Sequence, residues 1–177
     1  MKLVVLDRDG TINHDSDEYI KSPSEWKPIK GSLDAIARLS QAGWRVVVAT
    51  NQSGMARGLF DVAALNAIHD AMHRAAVQAG GRIDAIFFCP HAPDAGCECR
   101  KPKPGMLREI AERMNVDLAE VPVIGDSQRD LQAAAAAGAR PFLVLTGKGR
   151  RTYEAGGLPE GTLVFADLAA AAEHLAP

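Results

Sequence analysis

Asp7-Arg8-Asp9-Gly10-Thr11 places two carboxylates at i and i+2 directly after the apolar run Leu3-Val4-Val5-Leu6. In an extended segment alternate side chains point the same way, so Asp7 and Asp9 can converge on one metal ion or one substrate atom. Three later stretches carry groups of matching chemistry: Thr50-Asn51, Lys101 with Lys103, and Asp126 with Asp130. Carboxylates that hold Mg²⁺, a hydroxyl and an amide that donate hydrogen bonds, and a lysine ammonium together suit a phosphoryl group. An aspartate can also attack phosphorus directly and form an aspartyl phosphate. Either Lys101 or Lys103 can be the phosphate cation on sequence alone.

A second cluster has softer ligands. Cys89-x-His91 and Cys97-x-Cys99 bring four ligands into one short segment that contains all three cysteines of the chain. That is enough for a closed tetrahedral Zn²⁺ site, structural because no coordination position stays open. Pro90, Pro93, Asp94 and Gly96 make the segment loop-like, so it has no apolar core of its own and a metal would hold it rigid.

These residues need a scaffold that brings distant strand ends together. Leu3–Leu6, Trp44–Asn51, Ile83–Phe88, Val121–Ile124, Phe142–Leu145 and Leu163–Phe165 read as strands, most of them apolar without alternation, as in a parallel sheet buried on both faces. Helices are expected between them. One is capped by Ser32 and ended by Gly43; a long one is capped by Asp61 and closed by Gly80-Gly81. A third opens at Pro104 and stops at Asn115, an alanine-rich one covers Leu131 to Ala137, and the last runs from Asp167 to about Leu175. The expectation is an α/β fold, a Rossmann-like three-layer sandwich with a mostly parallel sheet, in which chemistry sits beyond the carboxyl ends of the strands. Asp15 to Lys30 reads as a loop over that face, and Gly147-Lys148-Gly149 as a basic loop. His14, His69, His73 and His174 read as surface or half-buried residues, and Trp26 and Trp44 as packing residues.

Composition narrows the function classes. At 177 residues the chain suits one domain, 1–177, and with 20 basic against 22 acidic residues it has no electrostatic footprint for nucleic acid. Four aliphatic residues before Asp7 are too few for a signal-peptide core or a membrane span. The expected protein is cytoplasmic and monomeric, with a small-molecule substrate.

Taken in order, Asp7-Arg8-Asp9-Gly10-Thr11, Thr50-Asn51-Gln52-Ser53, Lys103-Pro104-Gly105 and Gly125-Asp126 with Asp130 resemble the four motifs of the haloacid dehalogenase (HAD) superfamily of phosphatases. The likeness spans most of the chain. Asn51 to Gly58 and Cys99 to Met106 further resemble the branch that dephosphorylates a bisphosphorylated heptose, with histidinol-phosphate phosphatases as the rival and a non-catalytic zinc-stabilised binding module as the alternative from another class. The resemblance implies Asp7 as nucleophile and Asp9 as general acid and base. It implies Mg²⁺ held by Asp7, the backbone carbonyl of Asp9 and Asp126, with Thr50 and Lys101 steadying the phosphoryl group. It places the sugar phosphate against Asp7, Arg8, Asp9, Asp15, Tyr19, Thr50, Asn51, Gln52, Ser53, Arg57, Arg100 and Lys101, with Arg100 recognising the part that does not react. Ser127 follows Asp126 where some members carry a lysine. The motifs leave no room for a large cap domain, so Asp15 to Tyr19, Met55 to Leu59 and the zinc loop are expected to wall an open site.

Overall fold

The computed structural model describes residues 1–177 and contains one six-stranded parallel sheet. Its strands are β1 (Leu3–Leu6), β2 (Arg45–Asn51), β3 (Ala85–Cys89), β4 (Pro122–Gly125), β5 (Arg140–Val144) and β6 (Leu163–Phe165), in the order β3-β2-β1-β4-β5-β6. The helices are α1 (Ser32–Gln41), α2 (Val62–Gln78), α3 (Gly105–Met114), α4 (Gln128–Ala136), α5 (Gly149–Ala155) and α6 (Leu168–Leu175). A parallel sheet needs crossovers that cover its faces, and these helices supply them.

The two faces can be followed along β1. Val4 and Leu6 belong to a core shared with Val46, Val48, Ile36 of α1, Ile68 and Met72 of α2, and Leu168 of α6. Leu3 and Val5 point the other way, into a core with Val47, Met106 and Ile110 of α3, and Ala133 and Ala134 of α4. Both sets are fully or almost fully buried, which explains why β1 reads as an unbroken apolar run. Because β1 lies between β2 and β4, the connections leave it in opposite directions, and a crevice opens where the strand order reverses. Asp7 continues β1 into that crevice, its N–H donating to the Ile124 carbonyl at 2.8 Å.

Several boundaries differ from the sequence expectation for identifiable reasons. Ser32 is the first residue of α1 rather than its cap; Gly31, at φ 86°, turns the chain, and the Ser32 hydroxyl donates instead to the Thr11 carbonyl at 2.8 Å. Helix α4 begins three residues earlier than expected, because Ser127 and Asp130 form a reciprocal capping box. The expected loop at Gly147–Gly149 leads into α5, which Thr152 ties to the Asp126 carbonyl at 2.9 Å. By contrast, Asp61 caps α2 through the Ala64 N–H, Asp167 caps α6 through Ala170, and Asn115 ends α3 in a left-handed conformation, as the sequence indicates. No helix is long and apolar enough to cross a membrane.

Candidate active site

Four strand ends meet in a cavity of about 360 Å³. Asp7 and Asp9 come from the end of β1, Thr50 to Ser53 from the end of β2, Arg100 and Lys101 from the loop after β3, Asp126 and Ser127 from the turn after β4, and Arg129 and Asp130 from the first turn of α4. Of the residues expected to touch substrate, Asp7, Asp9, Asp15, Tyr19, Thr50, Asn51, Gln52, Ser53, Arg57, Arg100 and Lys101 all line it.

Arg8 does not. Its side chain is wholly buried and points away from the cavity, because neighbours of Asp7 and Asp9 on an extended chain face the other side. Its Nε and Nη2 donate to the two oxygens of Asp9 at 2.9 and 3.2 Å, and its Nη1 lies 3.1 Å from His69 Nε2. Asn13 and Gln52 donate to the same Asp9 carboxylate at 2.9 and 3.2 Å. Burial alone would raise the pKa of Asp9, but the adjacent guanidinium and these hydrogen bonds outweigh it and hold its carboxyl below the usual range. Arg8 thus orients and charges Asp9.

His69, expected to be a bland surface or half-buried residue, is buried on α2 as the acceptor for Arg8. Burial and then the Arg8 charge push its pKa down from 6.5 to about 4, so the ring stays neutral. Above pH 6.5 the ring is neutral in both folded and unfolded chains and exacts no penalty. As pH falls from 6.5 toward 4 the unfolded chain takes up a proton that the folded one refuses, and stability is lost across that window. The interval corresponds to roughly 3 kcal/mol at most. Urea unfolding of His69→Gln, which keeps an acceptor but cannot titrate, should lose less stability than wild type between those pH values; identical slopes would show that His69 is not responsible.

Lys101, rather than Lys103, is the cation at Asp7. Its Nζ reaches Asp7 Oδ1 at 2.8 Å, Asp130 Oδ1 at 2.7 Å and the Ala49 carbonyl at 2.8 Å. Burial opposes its charge, but Asp130 and Asp7 more than compensate and hold the ammonium protonated. Lys103 is solvent-exposed and pairs with Glu98 at 3.1 Å. The choice is made by Asn51, whose side chain brackets the Lys101 backbone: Nδ2 donates to the Lys101 carbonyl at 3.0 Å and Oδ1 accepts its N–H at 3.1 Å.

The carboxylates of Asp7, Asp126 and Asp130 approach within 4.8 Å of one another. Burial, and after it the charge of Asp130, raises Asp7 well above the usual carboxyl range and Asp126 to about 7. The half-buried Asp7 and the buried Asp126 and Asp130 face a single ammonium, and the surplus of negative charge and oxygen ligands fits a divalent cation such as Mg²⁺. Asp130 is already engaged, accepting from the Ser127 N–H and hydroxyl and from Lys101, so Asp7 and Asp126 are the freer ligands. Asp126 is pressed against the first motif: a Cβ added to Gly10 would meet its Oδ2 at 2.0 Å, and Gly10 itself sits at φ 86°.

Beside this centre, the sulfurs of Cys89, Cys97 and Cys99 and the Nδ1 of His91 also lie within 4.8 Å of one another, with contacts of 3.1 to 3.7 Å. Ligands about 2.0–2.3 Å from a tetrahedral ion stand about 3.3–3.8 Å apart, so the spacing suits one. The cysteines are free thiols. Residues the sequence did not single out also line the cavity, notably Arg129 and Lys148. Lys148 offers its N–H to Asp126 Oδ2 at 2.8 Å, a contact that depends on the unanticipated turn before α5.

Comparison with known proteins agrees with this geometry. The HAD-hydrolase-like family model matches residues 98–171. D-glycero-β-D-manno-heptose-1,7-bisphosphate 7-phosphatase of Bordetella bronchiseptica is 68% identical over 99% of this chain and 98% of its own, and that of Pseudomonas putida is 59% identical over 99% of each. The crystal structure of the B. bronchiseptica D,D-heptose 1,7-bisphosphate phosphatase complexed with magnesium and phosphate superposes with a TM-score of 0.97 over 99% of this chain and 98% of that one. The corresponding Burkholderia thailandensis structure is 58% identical, with a TM-score of 0.80 over 99% and 98%. With full-length identity at that level and the four motifs gathered in one crevice, this chain belongs to the D-glycero-β-D-manno-heptose-1,7-bisphosphate 7-phosphatase family of HAD-like hydrolases.

Proposed function

We propose that the protein removes the 7-phosphate of D-glycero-β-D-manno-heptose 1,7-bisphosphate in the cytoplasm, as one Mg²⁺-dependent domain serving lipopolysaccharide heptose synthesis. The observation that carries this reading is the Lys101–Asp7 pair sharing with Asp9 a cavity rich in unpaired guanidinium groups. Asp7 attacks phosphorus through the carboxylate oxygen that Lys101 leaves free. The bond from phosphorus to the sugar oxygen breaks, and Asp9, which enters this step protonated, delivers its proton to that oxygen. Asp9, now ionised and held by Arg8, Asn13 and Gln52, takes a proton from water, which hydrolyses the aspartyl phosphate and frees Asp7. Thr50 and Lys101 donate to the phosphoryl oxygens. Mg²⁺, held by Asp7, the Asp9 carbonyl and Asp126, supplies positive charge against the phosphoryl oxygens.

Phosphate release should be far faster with the heptose bisphosphate than with histidinol phosphate; the reverse ranking would transfer the enzyme to the histidinol-phosphate class. No release from any phosphomonoester would leave a binding module.

The Cys89, His91, Cys97 and Cys99 cluster is assigned to structural Zn²⁺, since four protein ligands leave no open position. Arg100 and Lys101 follow the last ligand directly, so the ion anchors the segment that carries them into the cavity. Elemental analysis should find one zinc per chain. Its removal by a strong chelator should lower the melting temperature by about 5 °C or more, with loss of turnover that Mg²⁺ does not restore. Purified protein without stoichiometric zinc would defeat the assignment.

A further inference from the structure

The cavity also carries arginines that have no ion-pair partner. Arg57, Arg100 and Arg129 line it, and none of the three makes a salt bridge anywhere in the chain. Arg57 rests on the Tyr19 ring, 5.8 Å from its centroid. Arg100 and Arg129 have no such partner, and Nη1 of Arg100 is buried without a hydrogen bond.

The position of Arg129 is unusual for a cation. It is the second residue of α4, in the turn where backbone N–H groups and the helix dipole present positive charge. An acid is favoured there, and α4 has one immediately afterwards in Asp130, consumed by the capping box and by Lys101. An arginine at this end therefore opposes the field of its own helix and of its neighbour. Arg100 enters the same cavity from the loop after β3, so the two guanidiniums share it. Two mutually repelling guanidiniums, one with an idle buried N–H, are satisfied together by a dianion with several acceptor oxygens.

We propose that Arg129 closes with Arg100 on the phosphate of the sugar bisphosphate that is not transferred, and that this pair makes the enzyme prefer a bisphosphate to a monophosphate. The assignment rests on the heptose-bisphosphatase reading, because it presumes a substrate with a second phosphate. It identifies the cation at this subsite as a residue of α4, although Ser127, next to the metal ligand Asp126, provides none.

The test is the ratio of kcat/KM for D-glycero-β-D-manno-heptose 1,7-bisphosphate to that for the heptose 7-phosphate. Arg129→Ala should lower this ratio roughly 10–100-fold, the loss of one or two hydrogen bonds to a charged group, mostly through KM for the bisphosphate. Arg129→Lys should recover part of it. A role confined to holding α4 would instead depress both substrates alike, leave the ratio at its wild-type value and lower the melting temperature; that outcome, or an unaltered KM for the bisphosphate, overturns the proposal. A wild-type ratio near one would overturn the heptose-bisphosphatase reading itself, before any substitution is compared.

Discussion

Asp7→Asn should lower phosphate release from the bisphosphate by about 10⁴-fold or more while leaving the fold intact. The amide has the shape of the carboxylate and can still accept from Lys101 through Oδ1, so Lys101 keeps all three of its contacts. What is lost is the anionic oxygen that attacks phosphorus. Stability should not follow activity downward. Burial and Asp130 already oppose the negative charge of Asp7, so the neutral side chain should leave the metal-free protein at least as stable at neutral pH. Equal release by wild type and variant, measured with Mg²⁺ present, would remove Asp7 from the nucleophile's role.

Lys101→Met should damage both properties. The methionine fills much of the same volume but leaves Asp7 and Asp130 facing each other without the ammonium that lies 2.8 and 2.7 Å from them. Removing one partner of a buried charge cluster costs about 3–5 kcal/mol, and loss of one preorganised donor to the phosphoryl oxygens costs roughly 10²–10³ in kcat. Part of the stability should return as pH falls and the acids protonate. Lys103→Met is the natural control, because an exposed pair such as Lys103–Glu98 is worth about 1 kcal/mol or less. Urea titrations and turnover of the two variants check this together, and similar effects at both positions would contradict the assignment of Lys101.

The site was more legible than its supports. Asp7, Asp9, Thr50 and Asp126 stand out because each is polar at the end of an apolar run, and a parallel sheet gathers such ends in one crevice, whereas Lys101 stands out by following the last cysteine of the metal loop. The alternatives that sequence left open turn on contacts between distant segments. Lys101 and Lys103 differ only once Asn51 has bracketed the backbone of one of them. Arg8 looked like a substrate contact because it sits between Asp7 and Asp9, yet that adjacency sends it to the opposite side, where His69 waits on α2. Helix α5 escaped notice because two glycines flank Lys148 and the helix has only seven residues, fastened by Thr152 to the turn after β4. Ser32 carries a good capping side chain, but the Thr11 carbonyl claims it. In each case local propensity was overruled by a partner far away in the chain.

The place of β1 between β2 and β4 also sets an order in time. As the chain leaves the ribosome β1 emerges first and can pair with β2 almost at once, whereas its other neighbour is not made until Pro122 to Gly125. Long-range parallel pairing is the slow part of folding. Until β4 docks, Asp7 has neither Asp126 nor Asp130 beside it and no second wall to its crevice. A half-made chain can therefore own Asp7 without owning its crevice, which is completed only when the sheet has closed across its middle.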